Sequence, residues 1–206
     1  AAALAIAAYL CTREEKRLSL PKDTGLDIIL YALPPALIVA RLYYVAFSWE
    51  YFKTRPGDII KLWEGGLAIY GAVIGGAIGV WMLSRKHKIP FFQLADIIAP
   101  SLLLGQAIGR WGNFFNQEAY GYAVTDPAWQ FFPIAVNIAG QWHLATFFYE
   151  SLWNLIGFVF LYMNRIRFEQ SGRHGHVFCW YLIWYGAGRL VIEGLHTYSL
   201  MWSSIR

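Results

Sequence analysis

"DIIAPSLLLGQAIGRWGNFFNQEAYG", residues 96–121, decides how the chain is read. Its first half is an apolar run with the character of a membrane-helix body. Its second half, "GRWGNFFNQEAYG" (109–121), places Gly109, Gly112 and Gly121 among Arg110, Asn113, Asn116, Gln117 and Glu118. The glycines argue against a regular helix throughout 109–121. Irregular backbone at membrane depth is tolerated only where protein or water covers it. A re-entrant or cavity-lining loop at the end of an apolar helix satisfies both conditions.

The rest of the chain supports a membrane setting. Of 206 residues, 57% are hydrophobic and only 15% charged, where a soluble domain carries about a quarter. Aromatics make up 18%, including ten tryptophans, a composition suited to interfacial belts. The expected fold is an all-α polytopic helical bundle. Hydrophobic segments fall at roughly 27–47, 66–84, 92–109, 146–164 and 177–195, with a shorter apolar stretch at 1–10. Ten apolar residues are too few to span, since about 20 are needed, and no basic region precedes them as in a signal peptide. The chain therefore reads as a piece lacking sequence at both ends. Five to six spans are expected in it, within one transmembrane domain over 1–206.

Charge orients the bundle. If every segment crosses, loops 11–26, 85–91 and 165–176 share one side and hold ten Lys/Arg, whereas 48–65, 110–145 and 196–206 hold five. The excess assigns the first set to the cytoplasm, and the polar loop at about 110–145 faces out. Cys11 and Cys179 then lie toward the reducing side, where thiols stay unpaired. The basic runs "RKHK" and "RIR" read as membrane anchors, not as a nucleic-acid surface. In "GAVIGGAIG", Gly71, Gly75 and Gly79 form a small-xxx-small repeat that lets two helices approach closely.

Ionisable residues inside a membrane are functional candidates by default. Arg189 and Glu193, four apart in "GRLVIEG", share a helix face within pairing reach. Arg41 is a second intramembrane cation, and Glu150 sits near the outer interface. On a helical wheel Arg110, Asn113 and Gln117 fall within about 60° of one another. Arginine binds phosphate through two parallel hydrogen bonds, and asparagine amides both donate to and accept from phosphate or sugar-like oxygens. Glu118 is suited to holding an arginine or to acting as a base. The residues thus describe an arginine-containing polar cavity for an anionic lipid head group near the outer leaflet. A lipid-modifying enzyme and a lipid transporter both remain open on these grounds.

"GRWGNFFNQEAYG" resembles, at every constrained position, the signature of the phosphatidylglycerol–prolipoprotein diacylglyceryl transferases. The similarity continues through "EGGLAIYG", "FFQLADIIAP", "FFYESLWN" and "YLIWYGAGRLVIEGL". The resemblance implies about seven membrane helices in a full-length member and a multi-pass enzyme of the bacterial plasma (inner) membrane. Its active cavity would face the periplasmic or outer side. The implied reaction moves the diacylglyceryl group of phosphatidylglycerol onto the lipobox cysteine of a prolipoprotein signal peptide. A thioether forms and glycerol phosphate leaves, with no metal or cofactor.

By the same resemblance, Arg110, Glu118, Arg189 and Tyr70 make up the catalytic set. Arg110, Asn113, Asn116, Gly121 and Glu193 bind substrate. Tyr70 in "GGLAIYG" stands where some members carry a histidine proposed as a base. A phenol is a poor base unless strongly perturbed, so Tyr70 is expected to orient the head group. His143, in a stretch that departs from the family's spacing, is expected to be a solvated loop residue. "HGH" at 174–176 falls on the cytoplasmic side, away from the cavity.

Overall fold

The computed structural model describes residues 2–117, 120–170 and 172–193. Along them run α1 (Ala2–Arg17), α2 (Thr24–Phe47), the single turn α3 (Trp49–Phe52), α4 (Ile69–His87) and α5 (Phe91–Phe115). A hairpin of β1 (Ala135–Ile138) and β2 (Gln141–Leu144) follows, then α6 (Thr146–Glu169) and α7 (His176–Glu193). Each expected segment is helical over most of its described residues, α1 extends past the expected 1–10 through the expected loop as far as Arg17, and α2 and α5 are long and apolar enough to cross a membrane. The chain divides into two compact units, Ala8–Ile98 and Ala1–Ala7 with Ala99–Arg206.

In the unit Ala8–Ile98, α2 lies against α4, and the glycine repeat supplies the contact. A Cβ on Gly71 would fall 2.6 Å from the Ala40 Cα; one on Gly75 or Gly79 would strike the carbonyl oxygen of Pro35 or Tyr31. Pro35, inside α2, has no N–H to give the Tyr31 carbonyl one turn earlier. That oxygen instead faces the bare Cα of Gly79. Small residues at 71, 75 and 79 are thus required by the approach of two backbones. Cys11, Ile28, Val80, Leu83, Ile89, Leu94 and Ile97 form the core of this unit. Cys11 is fully buried and Cys179, in the other unit, is exposed. The buried Glu15 closes the start of α2, its two carboxylate oxygens accepting from the Asp23 N–H at 3.1 Å and the Gly25 N–H at 2.8 Å.

Arg41 organises the backbone around it. Its five guanidinium donors reach five backbone carbonyls. Nε donates to Ile59 at 2.9 Å, Nη1 to Gly65 at 2.6 Å and Gly66 at 3.0 Å, and Nη2 to Asp58 at 2.6 Å and Lys61 at 3.2 Å. The segment between α3 and α4 folds around it. Gly65 and Gly66 have φ of +86° and +70°, and a Cβ on Gly66 would sit 2.6 Å from the guanidinium. Both the backbone conformation and the lack of room explain the paired glycines. In the same segment Lys61 Nζ lies 2.7 Å from Asp58. That hydrogen bond holds the Asp58 carboxyl below its ordinary range.

Candidate active site

The second unit builds its site from α5, α6 and α7. Trp111 Nε1 donates to Ser151 Oγ at 3.1 Å, and Ser151 Oγ donates to the Ala107 carbonyl at 2.8 Å. These bonds tie α5 to α6 within one turn of Arg110 and Glu150. There Arg110 Nη2 lies 2.5 Å from Glu150 Oε2. Glu150 is 4% exposed. A buried carboxylate is tolerated when such a partner meets it.

The α6–α7 contact is set by two tryptophans. Trp153 and Trp184 stack at 4.7 Å, and each indole N–H donates to the other residue's backbone carbonyl at 3.0 Å. Gly157 faces the Trp184 indole and Gly188 faces that of Trp153. A side chain at either glycine would occupy the space of the opposing ring. This register brings Arg189, next to Gly188, toward α6, where its Nη1 lies 4.0 Å from the same Glu150 oxygen. Glu150, Asn154, Tyr185 and Arg189 line a small crevice between the two helices.

The polar motif of 109–121 leaves and returns beside this cluster. The helix α5 runs to Phe115, through Gly109 and Gly112, so Arg110 and Asn113 are helical. The helix does not continue through the whole motif, as expected, but Gly109 and Gly112 lie inside it and neither adopts positive φ. Asn113 is half-buried, three residues after Arg110 and on its face of the helix. Gln117 has φ of +54° and lies beyond the helix end, so it does not continue that face. At the far end of the motif Gly121 is buried, and its N–H donates to the Leu144 carbonyl at 3.1 Å. Two residues later α6 begins.

His143 is a strand residue, not a solvated loop histidine. It pairs with Val136 across the hairpin, and its Nδ1 lies 3.1 Å from the Gly121 carbonyl. A carbonyl only accepts, so Nδ1 carries the proton. The tight turn at Ala139 and Gly140, with φ of +51° and +86°, closes the hairpin. Phe114 of α5 stacks on Phe147 of α6 at 4.7 Å beneath it. The sequence signal was present, since "VNIAGQWHL" alternates around a glycine-containing two-residue turn.

Of the residues expected at the site, the structure brings together Arg110 and Arg189, with Asn113 on the same helix face as Arg110. Arg189 does so through Glu150. The backbone of Glu193 ends α7, while its side chain lies outside the described residues, as does Glu118 altogether. Asn116 follows α5 directly and is exposed, its N–H donating to the Gly112 carbonyl at 2.9 Å. Tyr70 belongs to the other unit. It stands in the first turn of α4, 70% exposed, with its ring 6.4 Å from that of Tyr43. Glu150 was noted in the sequence as an acidic group near the interface but not assigned to the site.

The chain matches the family model described as prolipoprotein diacylglyceryl transferase over residues 1–206. It is 44% identical over 212 residues to a Listeria monocytogenes protein named phosphatidylglycerol–prolipoprotein diacylglyceryl transferase, covering 100% of this chain and 76% of that one. A Listeria welshimeri protein of the same name is 45% identical over 213 residues, with the same coverage. A Bacillus cereus protein of that name is 47% identical over 204 residues, covering 96% of this chain and 74% of the relative. Matching the family model from end to end, and these relatives at 44–47% identity, the chain belongs to the prolipoprotein diacylglyceryl transferase family.

Proposed function

We propose that the chain transfers the diacylglyceryl group of phosphatidylglycerol to the lipobox cysteine thiol of a prolipoprotein signal peptide. The thiol gives up its proton, and the sulfur attacks the glyceryl carbon that bears the phosphate. An S–C bond forms and the C–O bond breaks, its electron pair staying on the departing glycerol phosphate. The observation that carries this reading is the convergence of Arg110 and Arg189, from two helices, on one buried carboxylate oxygen. Two guanidiniums so arranged can hold a phosphate and stabilise the charge that grows on it.

Within this reading Asn113 and Asn116 hold the head-group oxygens, and Gly121 ties the end of the polar motif beside α6. Glu118 and Glu193 supply acidic partners to the arginines. Tyr70 orients the glycerol head group. The setting is a multi-pass bundle in the bacterial plasma membrane, a single domain with about seven spans in a full-length member. Its cavity faces outward, in line with the Lys/Arg excess in the alternate loops. The apolar helices α2 and α5 and the membrane enzyme family support the membrane location.

The test is mass spectrometry of a lipobox peptide incubated with the purified protein in phosphatidylglycerol vesicles. A diacylglyceryl adduct on the cysteine, with one glycerol phosphate released per adduct, is expected. Movement of phosphatidylglycerol between leaflets without any adduct would instead identify a lipid transporter.

A further inference from the structure

We propose that the link between α4 and α5 is a second lipid site, which takes the phosphate head group of an anionic phospholipid such as phosphatidylglycerol. The inference rests on the membrane setting and not on the transfer reaction, and it uses none of the residues assigned to that reaction. The fold divides the basic run at 85–88 in two. Lys86 and His87 turn back to α2, where Lys86 Nζ lies 3.0 Å and His87 Nε2 lies 2.9 Å from Asp27. Arg85 and Lys88 are exposed and make no ion pair among the described residues. Both line an open pocket of about 540 Å³ with Trp81, Ser84 and Phe91, a volume in the range of small-molecule sites.

Three features fit this pocket to a phospholipid. The Arg85 guanidinium lies over the Trp81 ring, 5.5 Å from its centroid. Stacking there leaves the in-plane N–H donors for a phosphate. Lys88 has φ of +56°, at a helix end where glycine is the ordinary residue. The turn itself is closed by its neighbours: the Ile89 N–H donates to the Ser84 carbonyl at 3.1 Å, and Ser84 Oγ donates to the Ile89 carbonyl at 2.7 Å. The fold does not need a lysine side chain at 88, whereas an anion in the pocket does. Finally, Ile74, Ile78, Trp81 and Arg85 are all exposed, and their spacing keeps them on one face of α4. An apolar strip that ends at an aromatic ring and two cations has the polarity of an acyl chain followed by a phosphate.

Native mass spectrometry of the purified protein in detergent counts the phosphatidylglycerol molecules it retains and gives their dissociation constants. Wild type should retain one more than Arg85→Gln/Lys88→Gln, whatever the occupancy of the Arg110 site. Lys16→Gln/Lys22→Gln removes two exposed charges elsewhere and should lose none. Lys88→Gly suits the positive φ, so its melting temperature should hold or rise. Its affinity for that lipid should fall about fivefold, the worth of one basic residue near an anionic lipid surface. This variant carries the test if the double variant does not fold. Phosphatidylcholine, whose head group has no net charge, should not fill the site, and excess glycerol phosphate, which has no acyl chain, should leave the lipid in place. Equal retention by wild type and the double variant, unchanged affinity in Lys88→Gly, or an equal loss in the Lys16/Lys22 control would each overturn the proposal. So would equal retention of phosphatidylcholine, or displacement by glycerol phosphate. A wild type that lipidates no peptide would end the transferase reading and leave this count unaffected.

Discussion

Trp153 and Trp184 donate to each other's backbone carbonyls, each at 3.0 Å, with their rings stacked at 4.7 Å. The pair is symmetric across α6 and α7 and sets how far one helix slides along the other. Trp153→Phe keeps a ring but removes one donor and leaves the Trp184 carbonyl without it. The expected loss is about 1–3 kcal/mol. Because Arg189 lies five residues beyond Trp184, transfer should also slow. Thermal unfolding of both single variants and the double variant checks this, and strict additivity of the two losses would show that the bonds do not act as a unit.

Arg110→Lys retains charge but not the planar fork. An ammonium reaching Glu150 cannot also present two parallel donors to a phosphate. Activity should fall by about 10²-fold or more, the scale for loss of one preorganised donor. Initial rates of peptide lipidation measure it, and near-normal turnover would remove the phosphate-clamp role.

Arg41→Lys should leave the chemistry in place and loosen the segment around it. Three ammonium donors cannot serve the five carbonyls that the guanidinium reaches. Each carbonyl left without a partner costs about 1–3 kcal/mol if it stays buried. Limited trypsin digestion should therefore cut faster at Lys53 and Lys61 in the variant. Unchanged cleavage would mean that the segment holds its shape without Arg41.

Tyr70→Phe distinguishes a head-group donor from a base. Loss of one hydrogen bond to a charged phosphate, about 1.5–3 kcal/mol, corresponds to roughly 10- to 100-fold. The pH profile should stay as in wild type, and Tyr70→Ala should lose more because the ring goes too. Rates against pH for the three proteins make the comparison. A loss beyond about 10⁴-fold in Phe, with one limb of the profile gone, would make Tyr70 the proton acceptor.

Gly79→Val should separate α2 from α4. The new Cβ would land on the Tyr31 carbonyl oxygen, a backbone atom that cannot swing aside. Overpacking of this kind costs about 1–3 kcal/mol or more, read as a lower melting temperature and yield. Gly76→Val is the control, because the nearest atom to its Cβ is the Ala36 methyl at 4.0 Å. Equal losses in the two variants would refute the close-approach role of Gly79.

The hydropathy pattern alone located the long helices, because apolar runs are local properties of the chain, but it stopped α1 seven residues short, since the charged stretch up to Arg17 continues the helix. The glycine repeat foretold a close helix pair for the same reason: a missing side chain can be read without a partner in view. The family signature singled out Arg110 and Asn113, which share a face of α5, as candidates for the site. What local reading missed were pairings between distant segments. It gave Arg189 a neighbour four residues away and no cue that the folded chain also brings it toward Glu150 on another helix. It named Arg41 as an intramembrane cation but gave no sign that its guanidinium reaches carbonyls up to 25 residues away. By itself the sequence determined a mostly helical membrane enzyme of a recognisable family and the residue types of its site. Tertiary structure alone decided that one buried carboxylate would serve two arginines, because the register that joins them comes from tryptophans and glycines packed between helices.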